Sequence, residues 1–187
     1  MKKSLGANTY LPTTPVLLVG TYDQDGKANL MTAAWGGICC SKPPCLAVSL
    51  RKATYSYSAI VERKAFTVGV PGESQAREAD YFGMVSGRKT DKFKETGFSP
   101  VKSDLVDAPY AEDVPLVLEC RLIHSHEIGL HTLFVGEIMD VKADERVLAE
   151  DGLPEFSKIR PIIYDTMHQE YHAMGKVLGK AFSLGKP

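Results

Sequence analysis

Asn29-Leu30-Met31-Thr32-Ala33-Ala34-Trp35-Gly36-Gly37 begins as a strand and turns small and glycine-rich just past the only tryptophan of the chain. Thr32 offers a hydroxyl. Ala33 and Ala34 offer backbone N–H groups with almost no side chain in front of them. Main-chain donors, little bulk and an aromatic wall suit a flat, anionic ring ligand. Taken alone, a half-buried strand ending in a Gly-Gly turn explains the stretch better, so its surroundings decide.

Upstream, Pro15 to Tyr22 is a compact apolar run, and Asp23-Gln24-Asp25-Gly26-Lys27 is a turn of Asp-Gly type. Two such runs around that turn predict a hairpin, since glycine supplies positive φ at little cost. Downstream, Ser41-Lys42-Pro43-Pro44 breaks the chain, and Cys45–Leu50 is a third strand running into Arg51. Thr54 caps a predicted helix to about Arg63, with Tyr57, Ile60 and Val61 on its buried face. Ala65–Val70 is a fourth strand, stopped by Pro71-Gly72. A second helix is expected from Ser74 to about Val85. Asp91–Thr96 reads as a helical turn closed by Gly97.

Residues 99–115 are expected to be mostly loop. Leu116–Ile123 and His131–Val141 alternate apolar and polar residues, with Ser125–Leu130 read as a reversal between antiparallel partners. The tail from Tyr164 mixes helix-like spacing with several glycines and has no firm assignment. About six strands joined by short turns and small helices favour an antiparallel barrel with closed edges over a doubly wound sheet.

At 187 residues the chain is expected to form one domain. The formal net charge of −1 gives no basic excess for nucleic acid. No long apolar run suggests a membrane span. Met1-Lys2-Lys3-Ser4 leads into no apolar stretch, so a cytoplasmic location and reduced thiols are expected. Cys39, Cys40, Cys45 and Cys120 are read as buried small hydrophobes rather than a metal or redox cluster. Of the five histidines, the pairs His124/His126 and His168/His172 lack the acidic pattern of known zinc helices, so no metal site is expected. No dinucleotide fingerprint, Walker A sequence or nucleophile elbow is present.

Ser49-Leu50-Arg51 leading into Thr54-Tyr55-Ser56 places a guanidinium where a strand gives way to a helix. Helix N-termini attract phosphate through free N–H groups and a positive dipole end, and arginine can clamp it in two places. Ser86-Gly87 followed by Lys92 reads as a second anion-binding element. Each of these, taken singly, is equally a helix cap or a solvated charge.

Together these segments resemble the flavin reductase-like family of FMN-binding split barrels. The resemblance runs through Asn29-x-Met31-Thr32-Ala33-Ala34-Trp35, Pro43-Pro44, Ser49-x-Arg51-x-x-Thr54-Tyr55 and Ser86-Gly87 with Asp91-Lys92-Phe93. It continues through Val106–Pro109, Leu118-Glu119-Cys120 and His131-x-Leu133–Ile138. It covers residues from about 10 to 145 and implies a mainly β, six-stranded antiparallel Greek-key split barrel with short peripheral helices. The single domain would span residues 1–187, with a core of about 10–145 and an extension of about 146–187.

The resemblance further implies a homodimer with FMN at or near the interface, and an oxidoreductase. Thr32, Ala33, Ala34 and Trp35 would line the ring system through backbone N–H groups, with Asn29 and Met31 also at the cofactor. Ser49, Arg51, Thr54 and Tyr55 would hold the ribityl phosphate, completed by Ser86, Gly87 and Lys92, with Leu50 also at the cofactor. His131 matches a histidine that lies near the nicotinamide in NAD(P)H-using members. Gly129-Leu130 replaces the Gly-Asp that precedes it in many reductases, which favours a flavoredoxin-type carrier fed by a redox partner protein over direct use of NAD(P)H. The third alternative is a split-barrel ligand-binding module without reductase activity. Replacing Arg51 with alanine is predicted to weaken FMN binding by about 1.5–3 kcal/mol, the size of a charge-assisted contact. An unchanged dissociation constant in a flavin fluorescence titration would remove Arg51 from the site.

Overall fold

The computed structural model describes residues 1–186. The chain opens with β1 (Thr14–Pro15), β2 (Leu17–Tyr22), β3 (Ala28–Ala33), β4 (Gly36–Ser41) and β5 (Pro44–Arg51). Helix α1 (Tyr55–Arg63) leads to β6 (Ala65–Val70). A 3-10 turn at Glu73–Gln75 precedes α2 (Ala76–Met84), and α3 (Lys92–Thr96) follows. The remaining elements are β7 (Pro100–Lys102), β8 (Pro109–Ala111), β9 (Leu116–Ile128), β10 (His131–Ala143), α4 (Phe156–Ile159), β11 (Ile162–Asp165) and β12 (Glu170–Ala173).

The large sheet has the order β3-β2-β6-β9-β10-β5-β4, and all its pairs are antiparallel. Its seven strands exceed the expected six because β4 adds itself to the edge of β5. The two edge strands, β3 and β4, are consecutive in the chain and joined only by Ala34-Trp35. The sheet therefore curls until its edges meet at that dipeptide, where the Ser49 N–H donates to the Trp35 carbonyl at 2.8 Å. This closure is the physical content of the mainly β barrel expected from the sequence.

Alternation along β2 serves two cores at once. Leu17 and Val19 point into the barrel with Val48, Phe66, Val68 and Phe134. Val16 and Leu18 point the other way, against Leu30, Phe82, Phe93 and Ile162 beneath α2 and α3. Burial on both faces is why residues 15–22 read as an unbroken apolar run. Strand β10 crosses this core at Gly136, where an added Cβ would lie 2.6 Å from the Phe66 ring and 2.9 Å from the Cys120 Cβ.

Several sequence expectations are corrected. Cys39 and Cys40 are exposed because β4 is an edge strand, whereas Cys45 and Cys120 are buried as expected. Strand β9 runs on to Ile128, so the reversal shrinks to Gly129-Leu130. Residues 99–115, read as loop, contain the β7–β8 pair. Helix α2 begins at Ala76 because Glu73–Gln75 form a 3-10 turn. The tail forms β11 and β12, and β11 pairs back onto β1, so the 168–172 spacing lies on a hairpin and not on a helix. Thr54 sits at the N-cap of α1 but makes no side-chain cap; its hydroxyl donates instead to the Arg51 carbonyl at 2.8 Å. The left-handed Gly97 closing α3 is as expected, while Asp91 stands before the helix as its N-cap.

Overpacking a filled core typically costs about 1–3 kcal/mol. Gly136→Ala is therefore expected to lower the urea unfolding midpoint by a matching amount with the slope unchanged. A midpoint equal to that of the natural chain would show that β6, β9 and β10 do not approach as described.

Candidate functional site

One concavity lies where β3, the start of α1 and the end of α2 converge. It is a cavity of about 210 Å³, lined by Asn29, Met31, Thr54, Tyr55, Ser86, Gly87 and Lys92 from the expected set, together with Ala53, Phe82, Gly83, Met84 and Val85. Residues from four separate stretches of sequence thus meet in one place.

Lys92 lies in the buried wall of this cavity. Its side chain is buried, and Nζ donates to the carbonyls of Leu30 and Phe82, both at 2.7 Å. Among the described residues, lysine ion pairs are formed by Lys52, Lys142 and Lys158 only. The ammonium therefore stands in the cavity wall with no carboxylate beside it. Burial disfavours its charged form and lowers its pKa to about 8. An ammonium has three protons to donate, and two carbonyls leave one for a ligand.

Asn29 supplies the complementary opening. Its Nδ2 donates to Ser56 Oγ at 3.0 Å, while its Oδ1 is buried without a hydrogen-bond partner. Buried polar atoms almost always have partners, so an unpaired oxygen on a cavity wall marks a place for a donor. Gly87 faces it closely: a Cβ there would lie 2.2 Å from Asn29 Oδ1 and 2.5 Å from the Tyr55 ring. Only glycine leaves the backbone free to approach at that point.

Tyr55 is fixed from behind, since its hydroxyl donates to Asp23. That bond pushes the phenol up to about 12, so it remains protonated. On the open side, Arg88 lies over the Tyr55 ring at 5.5 Å and donates to the Ala53 carbonyl at 3.1 Å. Arg88 is thus a cation at the rim that sequence reasoning passed over, because loop arginines are common and nothing in its spacing distinguishes it. Arg51, expected to clamp the phosphate, is exposed and lines neither cavity; its carbonyl accepts from both the N–H and the hydroxyl of Thr54.

A second cavity of about 370 Å³ adjoins the first across Gly83 and Met84 and includes Thr32 and Ala34. The Thr32 hydroxyl donates to the Ala79 carbonyl of α2. On the far side, Tyr171 donates to Asp80 Oδ1 at 3.1 Å; burial first, then Asp80, raises that phenol to about 12. Asp80, Tyr164 and Tyr171 were not expected at a site, since 91 residues separate the hydrogen-bonded pair and no local motif connects them.

The remaining expected residues lie apart from these walls. The Ala33 and Leu50 side chains belong to the barrel core, which leaves them only main-chain roles. Trp35 and Ser49 meet at the seam. His131 lies opposite Arg51 at the start of β10 and lines neither cavity.

A family profile described as "Flavin reductase like domain" matches residues 10–171. The solved flavoredoxin of Desulfovibrio vulgaris (Miyazaki F) is 54% identical over the whole of both chains, with a TM-score of 0.95. The flavoredoxin of Methanosarcina acetivorans is 32% identical over all of this chain and 97% of its own, with a TM-score of 0.88. A ferric-chelate reductase (NAD(P)H) of Archaeoglobus fulgidus is 30% identical over 103 residues, 54% of this chain and 60% of that one.

The lowered Lys92 pKa has a thermodynamic consequence. The unfolded chain keeps this proton to about pH 10.4, whereas the folded chain releases it near pH 8. Between those values the unfolded state binds more protons, so folding stability rises with pH there. The natural chain is expected to gain stability over Lys92→Met as pH rises from 8 to 10, read from paired urea melts. A constant difference between the two melts would contradict the buried, uncompensated charge.

Proposed function

The chain belongs to the flavin reductase-like family, and we propose that it is an FMN-dependent oxidoreductase whose cofactor's phosphate end lies between Gly87, Lys92 and Arg88. The observation that carries this reading is the buried Lys92 ammonium without a carboxylate, in the wall of one cavity with Gly87 and with Asn29, whose Oδ1 is unpaired. A phosphate supplies the missing anion, and a ribityl hydroxyl supplies the missing donor. The residues present therefore fit the group.

Each side chain then has a definable task. Lys92 and Arg88 neutralise the phosphate. Thr54 leaves the first N–H groups of α1 without a side-chain cap, so they too face the anion. Asn29 accepts from the ribityl chain, and Met31 packs beside it. Thr32, Ala34 and Trp35, at the seam next to the second cavity, border the ring system. FMN supplies the chemistry itself, because its ring accepts and returns hydride or single electrons. No acid or base from this chain is needed for that transfer; orientation and exclusion of water are.

We assign the second cavity, ending at Asp80 and Tyr171, to the electron donor or acceptor. His131, level with Arg51 at the open end of β5, is placed to meet a nicotinamide or a partner protein rather than the buried phosphate. Direct donation by NAD(P)H and supply by a redox partner protein both fit this surface. Gly129-Leu130 before the histidine favours the partner. The chain is proposed to act as one domain and a homodimer in the cytoplasm. No helix among the described residues is long and apolar enough to cross a membrane.

Purified protein is expected to bind FMN and quench its fluorescence. Anaerobic mixing with NADH or NADPH separates the donors. Bleaching of bound flavin much faster than of free FMN marks a reductase, and His131→Ala then slows bleaching more than it weakens FMN binding. Slow bleaching with a retained yellow colour marks the partner-fed carrier. A colourless protein that leaves FMN fluorescence unchanged contradicts both.

A further inference from the structure

We infer that the β11–β12 hairpin is a binding site for a first-row divalent metal ion, held by Asp165, Glu170 and His172. No local pattern announces it, because 168 and 172 read as helical spacing without acidic partners. The hairpin supplies the partners. Asp165 pairs directly with Glu170 across the strands, and His172 follows two residues along β12. Side chains two apart on a strand share a face, so all three project together. One ligand atom from each lies within 4.8 Å of the other two.

The electrostatics favour positive charge at this spot. Two carboxylates directly opposite one another in a sheet destabilise it, yet these two occupy one cross-strand pair. The structure shows imidazoles drawn toward them. His168 Nδ1 lies 2.7 Å from Asp165 Oδ2, and His172 Nε2 lies 3.4 Å from Glu170 Oε2. Asp165 is the anchored member: its side chain is 9% exposed, and its Oδ1 accepts from the Met167 N–H at 2.8 Å. Glu170 and His172 are half-exposed or more and free to adjust. Ligands to zinc lie about 2.0–2.2 Å from the ion, so the two mobile side chains need only draw inward around it.

The donor set selects the metal class. Imidazole with carboxylates suits zinc, cobalt, nickel or iron, whereas magnesium and calcium prefer oxygen alone. His168 is a positioning residue that holds Asp165 in place through its Nδ1 contact with Oδ2. The opposite face of the hairpin carries Tyr164 and Tyr171, which line the second cavity. An ion clamping Asp165 to Glu170 therefore rigidifies the strand pair that forms that wall.

The test is calorimetric titration of chelator-treated, full-length protein with zinc chloride, run beside cobalt(II) absorption. One saturable equivalent per chain is expected, with cobalt bands of nitrogen and oxygen ligation and no sulfur charge transfer. His172→Ala and Glu170→Gln should each weaken binding about tenfold or more. Cys39→Ser/Cys40→Ser and His124→Ala/His126→Ala should leave it unchanged. Absence of a saturable site, equal affinity in His172→Ala, or loss of binding in the cysteine or His124/His126 variants would overturn the assignment. Far-UV circular dichroism identifies any variant that fails to fold. Because the readout is metal binding, its failure leaves the flavin assignment untouched, and the reverse also holds.

Discussion

A single buried ammonium organises the structure around the first cavity. Lys92 reaches from the first turn of α3 to hold the Leu30 carbonyl of β3 and the Phe82 carbonyl of α2. It thereby pins a helix to the strand that forms the cavity floor. Removing a charge from water without a partner is costly, and proteins tolerate it where a ligand or a shifted pKa compensates. Both are implied here: the pKa falls in the ligand-free chain, and the cavity stands open to an anion. The interaction that shapes the site is also the one left incomplete by the protein alone.

The barrel supplies rigidity around that point. Its edges meet at Ala34-Trp35, so the residues bordering the second cavity sit on the seam rather than in a mobile loop. Phe66 and Phe134 fill the interior, and Gly136 permits three strands to converge on them. Around the outside, β11 returns to pair with β1 and brings Tyr164 and Tyr171 against α2. Residues from both ends of the chain thus complete a wall whose other side is built from its middle.

Much of this was legible in the sequence, and the exceptions have physical causes. The hairpin around Asp23–Lys27, the strand Ala65–Val70 and the Asp91 to Gly97 helix carry strong local signals: turn residues, β-branched runs and caps. Seven of the residues expected at the cofactor do line one cavity, because a strand end and a helix start fix their positions locally. What was missed depends on partners distant in the chain. Burial of Lys92 follows from α2 lying over it, which no local pattern encodes. Exposure of Cys39 and Cys40 follows from the position of β4 at a sheet edge. His168 and His172 read as helical because four-residue spacing is ambiguous until Asp165 and Glu170 are seen to pair across strands.

On the proposed reading, the cavity beneath Gly87 and beside Lys92 receives a phosphate at the end of a flavin. Comparing FMN with riboflavin, which lacks that phosphate, isolates it. Parallel fluorescence titrations of the apoprotein should give FMN an affinity at least about tenfold higher, since even one charge-assisted contact contributes about 1.5 kcal/mol. Equal affinities for the two flavins would contradict the account.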